Sequence, residues 1–77
     1  MNKVLFFAHL RDAIGEDFLQ MDAVGKTVAQ LKAELMEKYH LSRLETVMTA
    51  INEEFASNDE VIREGDEIAF IPPVSGG

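Results

Sequence analysis

Residues 27–40 read TVAQLKAELMEKYH, the most strongly patterned stretch in the chain. Thr27 is followed three residues later by Gln30, a capping box in which each residue satisfies an amide that a helix start leaves unpaired. Val28, Leu31, Leu35 and Tyr39 then recur at helical spacing and form one apolar stripe. The spacing predicts a helix with one dry face. On its wet side Glu34 and Lys38 stand one turn apart, a pair worth about a few tenths of a kcal/mol. A lone helix has nothing to bury its stripe against, so the flanking segments must supply a sheet.

On the N-terminal side, KVLFFAHL (3–10) is a strand candidate. Val4, Phe6 and Ala8 share one face, while Lys3, Leu5 and Phe7 share the other. In RDAIGED, Gly15 is placed to end a helical turn. DFLQMD (17–22) alternates Phe18 and Gln20 with Leu19 and Met21 and reads as a second strand, paired hairpin-fashion with the first. On the C-terminal side, LSRLE (41–45) is irregular and TVMTAIN (46–52) is a β-branched third strand. Residues 52–67 are rich in turn formers, with Phe55 and the pair Val61–Ile62 as apolar anchors. Gly65–Asp66 turns the chain into EIAFI (67–71), a last strand ended by Pro72. The expected class is α+β: a mixed four- to five-stranded sheet with one main helix across one face. Phe6, Phe18, Ile68 and Phe70 are the expected sheet contribution to the core.

Seventy-seven residues make one domain, expected over 1–71, followed by a projecting tail over 72–77. Fourteen acids against seven bases give a formal charge of −7 with no local Lys/Arg cluster, which argues against nucleic acid and suits a basic protein partner. No apolar run approaches the roughly 18 residues of a membrane span. The first residues lack the cleavage pattern of a signal peptide, and there is no cysteine. A cytoplasmic protein fits these features.

The usual chemical constellations are missing. His9, expected at a strand end, and His40 are isolated, with no second ligand or nucleophile at a useful spacing. Glu53–Glu54 and Asp59–Glu60 read as solvated loop charges. Gly15 and Gly25 stand alone rather than in a phosphate-cradling loop. The four methionines read as core filler and surface contacts. The chain is therefore not expected to be an enzyme on its own, nor to bind a cofactor or metal.

What is left is the tail, PPVSGG (72–77). Pro72 and Pro73 favour a stiff polyproline II arm rising about 3.1 Å per residue, so six residues reach roughly 15–20 Å. Val74 and Ser75 are a short spacer. Gly76 and Gly77 lack Cβ atoms and fit a narrow channel that other residues would block. The Gly77 carboxylate is ionised at neutral pH and can attack the α-phosphate of ATP in another protein's active site. A frayed end is the competing reading, but fraying does not call for the prolines.

KVLFFAHLRDAIG at the start and GDEIAFIPPVSGG at the end resemble the small subunit of molybdopterin synthase, the sulfur carrier of molybdenum-cofactor biosynthesis. The resemblance spans nearly the whole chain and implies a ubiquitin-like β-grasp fold. It also implies that Gly77 is adenylated by a ubiquitin-activating-type enzyme using ATP and then becomes a thiocarboxylate, with a sulfurtransferase as sulfur donor. The sulfur would pass to cyclic pyranopterin monophosphate in the large subunit, within a heterotetramer whose active sites receive the tails. Many family members carry an aromatic residue where this chain has Ile71. A thiazole-pathway carrier or another ubiquitin-like modifier would use the same fold and tip. A pure β-grasp binding module would not need the tail, and deleting Gly76–Gly77 separates it from the carriers.

Alternation along the last strand sets Ile68 and Phe70 against Glu67, Ala69 and Ile71. With the first pair inward, Ile71 stands outside at the root of the tail. Phe55 lacks a place in the helix-facing core, and Leu5 and Phe7 join the same face if the first and last strands are neighbours. These four residues form the expected docking patch, with Phe55 closing a loop over the core as the alternative.

Overall fold

The helix stands where its spacing puts it in the computed structural model, which describes residues 1–41 and 44–72. The elements are β1 (Asn2–Phe6), α1 (His9–Ile14), β2 (Phe18–Met21), α2 (Val28–Tyr39), a 3-10 turn (Leu44–Thr46), β3 (Met48–Ile51), β4 (Glu54–Ala56) and β5 (Glu67–Ile71). At the start of α2, Gln30 N donates to Thr27 Oγ1 at 3.2 Å and Thr27 N donates to Gln30 Oε1 at 2.8 Å, completing the capping box. Val28, Leu31 and Leu35 are fully buried, and Tyr39 is half-buried.

The expected Glu34–Lys38 pair is replaced. Glu34 Oε1 instead accepts from Lys26 Nζ at 2.7 Å, because Lys26 sits in the turn that feeds α2 and reaches along it. The Lys38 ammonium lies over the Tyr39 ring, 5.6 Å from its centre.

Five strands form one sheet in the order β2-β1-β5-β3-β4. β1 and β5 run parallel at its centre, and every other neighbouring pair is antiparallel. This is the β-grasp arrangement. The central ladder pairs Val4 with Ile68 and Phe6 with Phe70, so four buried apolar residues face the helix stripe together. The two rings lie 6.1 Å apart and tilted, a favourable aromatic contact. Leu10, Leu44, Val47 and Ile62 close the core around them.

Three further sequence-based expectations need correction. Phe18 is not in the core but 42% exposed. The register pairs Val4 with Leu19 and Leu5 with Phe18, so Leu19 and Met21 pack on the core while Phe18 takes the opposite face under the Lys3 ammonium. The first strand stops at Phe6, and Ala8 turns to φ 54°, ψ −131°. Ala8 therefore leaves the Val4–Phe6 face, and His9 begins α1 instead of ending a strand. Of the pair expected to anchor the 52–67 segment, Ile62 is buried while Val61 is 48% exposed and bridges to Thr27 through its backbone.

Two elements go beyond the sequence reading. The irregular stretch holds the 3-10 turn that buries Leu44, and the turn-rich segment holds β4. The expected end of α1 is present: Gly15, at φ 87°, donates its N–H to Arg11 O at 2.8 Å. Among the described residues no helix is long and apolar enough to cross a membrane.

Candidate functional site

The sheet has one face under α2 and one that no described element covers, and the register builds the open face row by row. Phe18 pairs with Leu5, Leu5 with Ala69, Ala69 with Ala50, and Ala50 with Phe55. Because cross-strand partners point to the same side, these five residues form one apolar row spanning all five strands. In the next row Met48 pairs with Ile71, and Phe7 follows β1 at that same end of the sheet. Phe55 is 72% exposed and Met48 47%; Phe7 and Phe18 are also exposed. Clustered exposed apolar side chains are candidate interaction sites, and this face gathers four of them.

Local chemistry fixes the most exposed member. Asn52 and Glu53 both adopt left-handed φ, 52° and 70°, as a two-residue type I′ hairpin turn requires. That turn sets Phe55 opposite Ala50 and therefore on the open face. Asn52 is in turn tied to the approach to β5. Its Nδ2 donates to Asp66 Oδ1 at 2.8 Å, and its Oδ1 accepts from Glu67 N at 3.0 Å. Asp66 Oδ2 accepts from Arg63 N at 2.9 Å, so both turns are locked together.

All four residues expected to form the patch lie on this side or at its rim: Leu5, Ile71 and Phe55 by register, Phe7 at the end of β1. Sequence reasoning missed Phe18, Met48 and Ala50, and set Ala69 on the same face as Ile71 without naming it in the patch. Met48 carried a usable signal, since alternation along TVMTAIN places it with Ala50; Phe18 did not, because its neighbour Leu19 is equally apolar. Ile71 leads directly into Pro72, which is buried. The expected arm from Pro73 through Val74, Ser75 and Gly76 to Gly77 lies outside the described residues. The open face thus converges on the root of the C-terminal segment. The described residues contain no group of three or more His, Cys, Asp or Glu side chains arranged to hold a metal ion.

A model of the ThiS family matches residues 4–77. The chain belongs to the ThiS family. The match runs through Gly77. The chain is 36% identical, over the full length of both proteins, to the molybdopterin synthase sulfur carrier subunit of Escherichia coli K12. Among solved structures it is similar to a putative molybdopterin converting factor subunit 1 from Pyrococcus furiosus. That likeness has a TM-score of 0.80 and 26% identity, covering 95% of this chain and 97% of the other. It is also similar to a chain in the complex of subunits 1 and 2 of molybdopterin-converting factor from Helicobacter pylori. There the TM-score is 0.69 and the identity 28%, covering 99% of this chain and 97% of the other.

Proposed function

We propose that this chain is the sulfur-carrier subunit of a molybdopterin synthase, working in the cytoplasm. The observation that carries the reading is the apolar open face running into Ile71, immediately before the tail, in a ThiS-family chain that ends in Gly-Gly. A surface that docks a partner at the root of a reactive terminus delivers that terminus into the partner's active site. Docking and threading are one event, so orientation is set before chemistry begins.

In this reading the Gly77 carboxylate attacks the α-phosphate of ATP in a ubiquitin-activating-type enzyme, forming an acyl-adenylate and releasing pyrophosphate. A sulfurtransferase persulfide then displaces AMP to form an acyl disulfide, and a second thiol cleaves its S–S bond, leaving the thiocarboxylate and a disulfide. The thiocarboxylate sulfur is donated to cyclic pyranopterin monophosphate held by the large subunit, which supplies the catalytic residues. This chain contributes the reactive carboxyl carbon, the bare Gly76–Gly77 backbone, the prolines that limit the arm's freedom and the docking face. Phe55, Ile71, Phe7 and Leu5, joined by Phe18 and Met48, form that face. The chain itself holds no cofactor; ATP belongs to the activating enzyme.

The test is intact-mass analysis after incubation with an activating enzyme, ATP and a sulfur donor. Sulfur replacing one oxygen at Gly77 is the expected product, and a chain extended by one residue beyond Gly77 should fold but stay unmodified. Sulfur delivery by the extended, uncut chain would overturn the assignment to Gly77.

A further inference from the structure

We infer that the open edge of β4 receives an extended, basic segment of the large subunit, which joins the sheet through the backbone of Phe55. The inference rests on the sulfur-carrier reading and adds a second mode of recognition to its apolar face. The hairpin turn at Asn52–Glu53 makes Ile51 and Glu54 the hydrogen-bonded pair that closes the β3–β4 ladder. In an antiparallel ladder such pairs alternate with pairs whose N–H and C=O groups point away from each other. Ala50 and Phe55 are the next pair. Ala50 turns its backbone groups toward β5, and Phe55 turns its own toward the edge that no further described strand occupies. A free donor and acceptor on one edge residue are a template for an added strand.

Two features distinguish this edge from that of β2. At β2 the exposed ring, Phe18, already lies 4.5 Å beneath the Lys3 ammonium. At β4 Phe55 is 72% exposed, the largest value among the large hydrophobic residues described. Cavities of about 310 and 290 Å³ also border β4, and Phe55 and Ala56 line both. The larger is lined by three acids, Glu54, Glu60 and Asp66, against one base, Arg63. Glu54 and Glu60 form no ion pair with any described residue. This charge sets the occupant's chemistry. A lysine or arginine of the added segment can place its head among the carboxylates and its aliphatic stem along the Phe55 ring. An acidic segment would be repelled, and a neutral one would leave the carboxylates unanswered.

Residue-resolved amide hydrogen exchange of the full chain, alone and bound to the large subunit, tests the inference. The Phe55 amide should exchange freely in the isolated chain and at least about tenfold more slowly in the complex. A chemically synthesised chain with N-methyl-Phe55 keeps the ring, loses the outward donor, and should bind the large subunit several-fold more weakly. The double variant Glu54→Gln, Glu60→Gln should lose affinity by roughly fivefold or more at low salt, and the difference should shrink as salt rises. A complex that forms while the Phe55 amide stays unprotected, or that is indifferent to both carboxylates, overturns this inference and leaves the sulfur-carrier reading standing. Failure of the unmodified chain to bind the large subunit at all overturns both.

Discussion

Met48 stands opposite Ile71 in the β3–β5 ladder, one residue before the buried Pro72. The pair places an adaptable thioether and a branched aliphatic group at the root of the tail, on the face turned away from α2. Core packing on β5 is carried by Ile68 and Phe70, both fully buried, and not by Ile71. Ile71→Asp is therefore expected to cost more than about 1 kcal/mol of partner binding by titration calorimetry. Its unfolding free energy should fall by less than about 1 kcal/mol. If Ile71→Asp unfolds the isolated chain instead, Ile71 belongs to the core and the docking face must be redrawn.

Ala8 is held at φ 54°, ψ −131°, a region that side chains avoid and glycine enters freely. The conformation turns the chain out of β1 so that Phe7 stays exposed while Leu10, three residues later, is buried. Strain of this kind costs about 1–3 kcal/mol, and glycine would return part of it to unfolded-chain entropy. Ala8→Gly should therefore stabilise the fold by roughly 1 kcal/mol in denaturant unfolding. Ala8→Val should destabilise it. An Ala8→Gly chain no more stable than the parent would show that the turn is unstrained.

Asn2 is 2% exposed and joins three segments through one amide. Its Nδ2 donates to Arg63 O at 2.8 Å and Asp66 O at 3.0 Å, and its Oδ1 accepts from Ala23 N at 3.0 Å. Asn2→Ala leaves a buried N–H and two carbonyls without these partners, at a cost of about 2–4 kcal/mol. Calorimetric melting should show the loss as a clear drop in Tm. A drop of only a degree or two would mean that water replaces the amide.

What the sequence disclosed follows from how local each determinant is. The helix was legible because Thr27, Gln30 and its apolar stripe lie within 13 residues and act on one another directly. Ile68 and Phe70 were legible because alternation with Glu67 and Ala69 marks a face. Phe18 was not, since Phe18–Leu19–Gln20–Met21 offers a large apolar group to either side. Its register against β1 decides the matter, and that register is set by the α1 turn between them. Buried Asn2 and Lys32 were equally hidden. Lys32 Nζ donates to Val47 O at 2.9 Å and Asn58 Oδ1 at 3.1 Å, partners 15 and 26 residues away. The open face was half legible: alternation assigned Ile71, and Leu5 followed only if the first and last strands were neighbours, so the full row required knowing the strand order.

Thr49 provides the last test, because it occupies a core position with a group the core does not use. It pairs with Phe70 on the helix-facing side, is 3% exposed, and its Oγ1 has no hydrogen-bond partner among the described residues. A buried hydroxyl without a partner carries its full desolvation cost, whereas its methyl group packs normally. Thr49→Val exchanges the hydroxyl for a second methyl of similar size and suits a strand equally well. It should raise the denaturant midpoint by an amount equivalent to about 1 kcal/mol, with the unfolding slope unchanged. Thr49→Ser keeps the hydroxyl, removes the methyl, and should cost about 1 kcal/mol. If valine proves no better than threonine, the hydroxyl is hydrogen-bonded in solution, and an ordered water at Thr49 would be the partner to look for.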